Sequence, residues 1–343
     1  MTRPLPLTLL ILFMIISLIY GWLFMLNEPN HHVSDESLKS NITILLWHWP
    51  FGVSYSLAGD VCLKDYSIAG CRLVDNRSLM KSANLVVFHH AELKYRRVRL
   101  PVDLPRPASQ RWVWLSLEAP ASNGNLAAYK NLFNLKMSYH PQADITVPYG
   151  KLIVKERPSQ DFVIPKNKSH EVCWVVSNYQ KWQSRSAVYQ KLRKNINVQV
   201  YGHFTKRPLR NADLLPTISQ CYFYLAFENT ESRHYITEKL WRNAFLAGAV
   251  PVVLGPPRGD YEEVAPPKSF IHVNDFNSTE DLAKYLRSLT KDPEKYNAHF
   301  AWRQNYTVKL YTDWRERLCN ICPLYERFPT KKIYKDLGTW TKW

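Results

Sequence analysis

The sequence predicts two Rossmann-like α/β domains facing each other across a cleft, preceded by a single N-terminal transmembrane helix. Three observations carry this expectation. Leu5 to Leu26 is an unbroken run without a charged residue. Beyond it, short β-rich apolar runs alternate with helical periodicity, the pattern of parallel sheets covered on both faces. Between two such regions lies Val154–His170, rich in Lys, Pro and Ser, which reads as an interdomain linker.

The N-terminal run comes first. At ~1.5 Å per residue a helix from Leu5 to Leu26 spans a hydrocarbon core of ~30 Å. Arg3 precedes it, so residues 1–4 are expected in the cytosol and the rest in a lumen. The rival reading is a cleaved signal peptide, whose apolar core is only about 7–15 residues long and ends in a small-x-small site. Asn27-Glu-Pro-Asn30 follows here instead. Residues 27–40 are polar and read as a stem. An oxidising lumen suits the six cysteines, Cys62, Cys71, Cys173, Cys221, Cys319 and Cys322, read as three disulfides. Cys319-Asn-Ile-Cys322 also has the look of half a zinc site or a redox pair, but no second close pair accompanies it. Glycosylation sequons stand at Asn41, Asn76, Asn167, Asn277 and Asn305.

The first domain, residues 41–160, is expected to begin with a strand over Ile42–Trp49. A short helix at Leu79–Ala83 feeds a buried strand at Leu85–Phe88, and further strands cover Trp112–Leu117 and Ile145–Val147. The second, residues 161–343, reads more clearly. Strands are expected at Val172–Val176, Val198–Tyr201, Phe223–Phe227, Val250–Leu254 and Phe270–Val273. Helices are expected at Arg185–Lys194, at Thr237–Ala247 with Gly248 as its stop, and at Glu280–Leu289 behind an N-cap at Ser278.

The formal net charge of +16 points to an anionic partner. Nucleic acid is not expected, because the basic residues are scattered and form no recognition motif. Nucleotide-sugar phosphates, sialylated glycans and anionic membranes remain. There is no G-x-G-x-x-G and no Walker loop, which argues against a dinucleotide or an ordinary ATP site. There is no D-x-D triplet to hold a diphosphate through a cation, so protein cations should meet one directly. The densest polar cluster, Phe227 to Lys239, follows an apolar strand and opens a helix, where ligands of open parallel sheets bind. Thr237, Glu238 and Lys239 fall in the first turn of that helix. Glu238 is a candidate acceptor for sugar hydroxyls and Lys239 a candidate phosphate contact. A capped helix with a surface lysine is the plainer alternative.

F-E-N-x(5)-Y-I-T-E-K at 227–239, followed by Asn243-Ala-Phe-Leu-Ala-Gly-Ala-Val-Pro-Val-Val-Leu-Gly-Pro256, resembles the signature of the α1,3-fucosyltransferases. The resemblance extends through Trp47-His-Trp-Pro-Phe51, Asn76-Arg-Ser-Leu79, Phe88-His-His90, Val113–Pro120, Val147-Pro-Tyr-Gly150 and Trp174–Asn178. Length and the tail Thr312–Cys322 look most like the type VII, sialyl Lewis x-forming branch. The resemblance implies a GT-B arrangement and a Golgi membrane location, single-pass type II with the catalytic domain lumenal. It implies inverting transfer of fucose from GDP-fucose to the 3-hydroxyl of GlcNAc in sialylated or neutral N-acetyllactosamine. No cofactor would be obligatory, and a divalent metal would at most stimulate.

Residue by residue, Glu118 matches the catalytic carboxylate, suited to take the acceptor proton. Ala119 departs from the usual Ser beside it. Arg185 follows Ser177 at the spacing of a donor-site arginine, and with Lys239 would neutralise the departing diphosphate. Ser177, Asn178, Asn229, Tyr235, Thr237 and Glu238 match the remaining donor contacts. The resemblance pairs Cys62 with Cys319, Cys71 with Cys322, and Cys173 with Cys221. Two other readings stay open: a non-catalytic glycan or nucleotide-sugar-binding module, and a transferase of the same fold using another sugar nucleotide. Lys94–Arg99 is a candidate sialic-acid reader or simply a solvated basic face.

Overall fold

The computed structural model describes residues 41–95, 97–159, 164–165 and 168–338. The expected tail, membrane span and stem lie outside these residues, as do Arg96 and the sequon at Asn167. No helix among the described residues is long and apolar enough to cross a membrane. From Ile42 onward the chain forms one compact unit.

The first lobe is a six-stranded sheet of β1 (Ile42–Leu46), β2 (Cys71–Val74), β3 (Leu85–His89), β4 (Arg111–Leu115), β5 (Leu135–Ser138) and β6 (Ile145–Thr146). Its order is β2-β1-β3-β4-β5-β6 and every pairing is parallel. Every residue of β3 and β4 is buried, as central parallel strands covered on both faces require. β7 (Gly150–Val154) leaves this sheet and pairs antiparallel with a strand near the C-terminus.

The second lobe is a five-stranded parallel sheet of β8 (His170–Val175), β9 (Val198–Tyr201), β10 (Cys221–Phe227), β11 (Val250–Leu254) and β12 (Ile271–His272), in the order β12-β11-β10-β8-β9. The strand partnering β7 is β13 (Tyr306–Leu310). In each lobe the connections diverge at one point, between β1 and β3 and between β8 and β10. Such a switch opens a crevice at the carboxyl ends of the strands. The loops that carry the candidate site residues leave from these ends.

Some expected elements take a different form. The helix at Leu79–Ala83 is a 3-10 turn over Arg77–Lys81, capped by the Asn76 side chain. The helix at Thr237–Ala247 is a π-helix over Lys239–Leu246, a rare form found frequently at functional sites. The segment read as linker begins inside β7 and ends inside β8. Ser278 does cap the helix Thr279–Thr290: its hydroxyl accepts the Asp281 N–H at 3.0 Å. That helix buries Leu282, Leu286 and Leu289 in the second lobe's core.

The C-terminal segment returns to the first lobe. Leu318, Ile321 and Phe328 pack among β1, β3, β4 and β5 side chains. Disulfides Cys62–Cys319 and Cys71–Cys322 fasten it there, and Cys173–Cys221 joins β8 to β10. The sequons at Asn41, Asn76, Asn277 and Asn305 are exposed.

Candidate active site

A cavity of about 360 Å³ lies between the carboxyl ends of the two sheets, lined by residues of both lobes. Glu118, just past β4, reaches it from the first lobe; Asn229, Tyr235, Glu238 and Lys239 reach it from the second. The strand ends at Leu115, and the chain then turns into the short helix Pro120–Asn123. The Ser116 hydroxyl holds this turn, accepting the Glu118 N–H at 3.4 Å and donating to Asn123 Oδ1 at 2.7 Å. Burial pushes the Glu118 carboxyl above its ordinary value. The Lys239 charge and a hydrogen bond from the Tyr235 hydroxyl pull the other way. A carboxylate so raised is a better proton acceptor than a free surface one.

The second lobe contributes a cage around one ammonium. Lys239 Nζ donates to Glu228 Oε2 at 2.9 Å, Thr237 Oγ1 at 2.8 Å and Glu238 Oε1 at 3.2 Å. Those are three partners for three N–H bonds. Glu228 is only 4% exposed and also accepts the N–H and hydroxyl of Thr237. Burial raises the Glu228 carboxyl and the neighbouring Glu238 charge adds to the rise, against the pull of Lys239. Desolvation opposes the Lys239 charge, yet the facing Glu228 and Glu238 raise it above its ordinary value. Thr237 is buried and bonded to Glu228, so it positions the cage and does not open onto the cavity. Glu238 is the accessible member, with a side chain 47% exposed.

The loop after β8 holds the remaining candidates. Arg185 is buried in the first turn of the helix Ser184–Leu192. Its Nε donates to Gln183 Oε1 at 2.8 Å and its guanidinium also donates to the Asn178 carbonyl. Both acceptors are neutral, so these bonds leave its charge uncompensated. Ser177 lines a separate cavity of about 250 Å³, with Gly202 and His203 at the end of β9. Gly202 has φ +107°, and a Cβ there would fall 2.2 Å from the Val176 carbonyl oxygen. Only glycine lets β9 end so close to β8. Asn229 Oδ1 is buried without a hydrogen-bond partner, although it borders the larger cavity. A buried acceptor in that condition costs free energy until a ligand donor arrives.

Six further residues line the cavity from the first lobe and the returning tail: Phe51, His89, Leu117, Tyr149, Trp314 and Arg317. Phe51 meets His89 edge-on at 4.9 Å, His89 meets Trp314 at 5.5 Å, and Arg317 lies over Trp314 at 4.7 Å. Burial and the neighbouring His48 and His90 push the His89 imidazole down to about 3, so it is neutral at physiological pH. Phe51 and His89 fall inside motifs that stand out in the sequence. Trp314 and Arg317 fall inside the tail Thr312–Cys322 that stands out in the sequence, but nothing local places them at this cavity, to which the disulfide-tied tail brings them.

His234, Asp260 and Glu263 set potential metal-ligand atoms within 4.8 Å of one another. Both Asp260 oxygens already accept from Arg233, and one also accepts the His234 N–H. A cation there would have to displace the guanidinium. Cys62, Cys71 and Cys319 also cluster, but as disulfides.

Comparison with known proteins agrees with this architecture. Residues 39–150 match the family described as "Fucosyltransferase, N-terminal", and residues 165–340 match "Glycosyltransferase family 10 (fucosyltransferase) C-term". The chain is 47% identical to alpha-(1,3)-fucosyltransferase 7 of Homo sapiens, over 88% of this chain and 86% of that one. It is 39% identical to the 4-galactosyl-N-acetylglucosaminide 3-alpha-L-fucosyltransferase 9 of Mus musculus, over 99% and 97% of the two chains. The fold is similar to a crystal structure of an α1,3-fucosyltransferase with GDP-fucose, at a TM-score of 0.54 and 18% identity, covering 84% of this chain and 90% of that one. With two α/β lobes, a carboxylate facing a caged ammonium and family matches across both lobes, the chain belongs to glycosyltransferase family 10, the fucosyltransferases.

Proposed function

We propose that this α1,3-fucosyltransferase moves fucose from GDP-fucose to the 3-hydroxyl of GlcNAc in N-acetyllactosamine glycans, with inversion at the anomeric carbon and Glu118 as general base. The observation that carries the reading is Glu118 on one wall of a single cavity and the Lys239 cage on the other. The acceptor hydroxyl would attack from the first-lobe side. Its proton passes to Glu118 as the bond to the fucose anomeric carbon forms, and the bond from that carbon to the β-phosphate oxygen breaks. The electron pair leaves on GDP. Attack opposite the leaving group turns a β-linked donor into an α-linked product.

Arg185 and Lys239 are the cations for the developing diphosphate charge. Lys239 already has three acceptors, so a phosphate oxygen must replace one of them. Glu238 is the replaceable one, being the most exposed and the longest of the three bonds. Released, its carboxylate would be free to accept from ribose or fucose hydroxyls. Ser177, Asn178, Asn229 and Tyr235 are the other proposed donor contacts. Ser177 borders the 250 Å³ cavity beside β8 and β9, a pocket of suitable size and place for the nucleobase. Faces of Phe51 and Trp314 offer apolar platforms for acceptor sugar rings.

Sialylated acceptors are the preferred class in this reading, giving sialyl Lewis x-type epitopes. Lys94, Arg97 and Arg99 support it, all exposed on the first lobe; Lys94 lies close enough to Glu118 to lower its proton affinity. A Golgi membrane anchor through residues 5–26 completes the proposal. Purified enzyme given GDP-fucose with sialylated or plain N-acetyllactosamine tests it. The expected product is α-linked fucose on O3 of GlcNAc, formed faster on the sialylated chain and resolved by NMR. A β-linked product contradicts inversion, and transfer to neither acceptor contradicts the whole assignment.

A further inference from the structure

The geometry points to Asp260 and Arg233 as positioning residues for fucosyl transfer, which hold the turn at 232–236 so that Tyr235 stays beside Glu118. The inference rests on Glu118 being the base.

Tyr235 is a second-lobe residue inserted into the first. Its ring packs at 5.1 Å from Tyr139 and 6.3 Å from Tyr149 and against Ala119, so that it lines the cavity beside Glu118, where its hydroxyl favours the ionised carboxylate. Whatever fixes the backbone before Tyr235 therefore fixes where its side chain stands relative to the carboxylate. That backbone is not at rest in an ordinary conformation. His234 has φ +55°, a left-handed geometry uncommon for a residue with a Cβ.

Asp260 imposes it. This carboxylate, 1% exposed, sits on the short helix Arg258–Glu262. It accepts the His234 N–H at 2.6 Å, and Arg233 Nε lies 2.9 and 3.0 Å from its two oxygens. Arg233 Nη2 adds a contact at 2.8 Å. One buried side chain thus receives the donors of two consecutive residues directly before Tyr235. The opposite side of the turn is gripped by the first lobe. The His140 ring meets the His234 ring edge-on at 4.9 Å, and the Tyr139 ring packs on that of Tyr235 at 5.1 Å. Held from both lobes, the turn carries the second lobe's geometry to the base. Packing alone does not call for this arrangement, because the Arg233 side chain is half exposed and fills no core.

A double-mutant cycle tests the inference in the full-length protein, with Asp260→Ala, Tyr235→Phe and the combination. Asp260→Ala is expected to lower kcat on the order of 10- to 100-fold, the scale of a displaced catalytic group. GDP binding should stay within a few-fold. The acid limb of kcat/KM should move to higher pH, because Glu118 loses the donor that favours its ionised form. Asp260→Asn keeps an acceptor for the His234 N–H and should recover part of the rate. Added to Tyr235→Phe, the Asp260→Ala change should cost little more, since both act through one hydroxyl. Equal losses in both backgrounds, or an unmoved acid limb in a folded variant, overturn the inference. Should Asp260→Ala not fold, Arg233→Met replaces it, with the same direction of limb shift required. Glu118→Gln separates the two claims. Full turnover in that variant defeats the base assignment; a dead Glu118→Gln beside an unaffected Asp260→Ala defeats only the positioning role.

Discussion

Replacing Lys239 with Met removes one charge from the cage and leaves two carboxylates behind. Glu228 is the one that matters for stability, because it is buried and Glu238 is not. Breaking a buried ion pair from one side costs about 3–5 kcal/mol. The Thr237 N–H and hydroxyl remain on Glu228 at 2.8 and 2.9 Å, so the low end, about 3 kcal/mol, is expected. At ~2–4 °C per kcal/mol for a chain of this order of size, the melting temperature should fall by roughly 6–12 °C. The loss should depend on pH. In the native protein the Glu228 carboxyl already lies above its ordinary value of 4.5, and removing Lys239 raises it further. A folded-state pKa above the unfolded one means that stability falls as pH rises from the unfolded value through the folded one. The variant should therefore lose less stability near pH 5 than near pH 8. Calorimetric melts across that range read the effect. Adding Glu228→Gln should restore most of the melting temperature without restoring transfer, because the phosphate cation is still missing. A pH-independent loss, or a double variant no more stable than the single one, refutes the cage as described.

Other consequences are separable from this one. Glu118 is raised by burial, so kcat/KM should fall on the acid side with a midpoint above 4.5; a midpoint at or below that value contradicts the environment described. A Cβ at Gly150 would fall 2.6 Å from the Trp241 ring, so Gly150→Ala should displace the π-helix that begins at Lys239. We expect a loss of ~1–3 kcal/mol and a lower kcat by melts and initial rates; wild-type values for both contradict it. A chelator should leave turnover unchanged, since protein cations are assigned to the diphosphate; loss of activity restored by a divalent ion contradicts that. Glycosidase treatment of protein made in a secretory host should reduce its mass through glycans at one or more of Asn41, Asn76, Asn167, Asn277 and Asn305; an unchanged mass contradicts glycosylation at these sequons.

The sequence discloses those elements whose burial is uniform. Leu85–Phe88 and Val250–Leu254 are apolar throughout because they are central in parallel sheets, and that shows without a partner. Other strands hide. β2 is four residues long, at a sheet edge, with Arg72 exposed in its middle. β5 carries Lys136, whose ammonium rests over the Tyr334 ring at 4.2 Å from a distant part of the chain. β7 and β13 are strands by virtue of each other, far apart in sequence. The site divides the same way. Glu118, Asn229, Glu238 and Lys239 stand in local motifs at strand ends. Glu228 stands in the same motif, but its role as partner of Lys239 depends on a fold-back between β10 and the π-helix. Trp314 and Arg317 reach the cavity through the long-range packing and disulfides of the tail, and Asp260 meets Arg233 only because its short helix packs against the turn at 232–236.

The most direct test of the central claim is turnover of Glu118→Gln with donor binding measured beside it. Glutamine keeps the shape and removes the proton acceptor. The expected result is a fall in kcat of about 10²-fold or more, with GDP affinity preserved because the Lys239 cage and Arg185 are untouched. A folded variant that binds GDP and transfers fucose within a few-fold of the wild-type rate contradicts it.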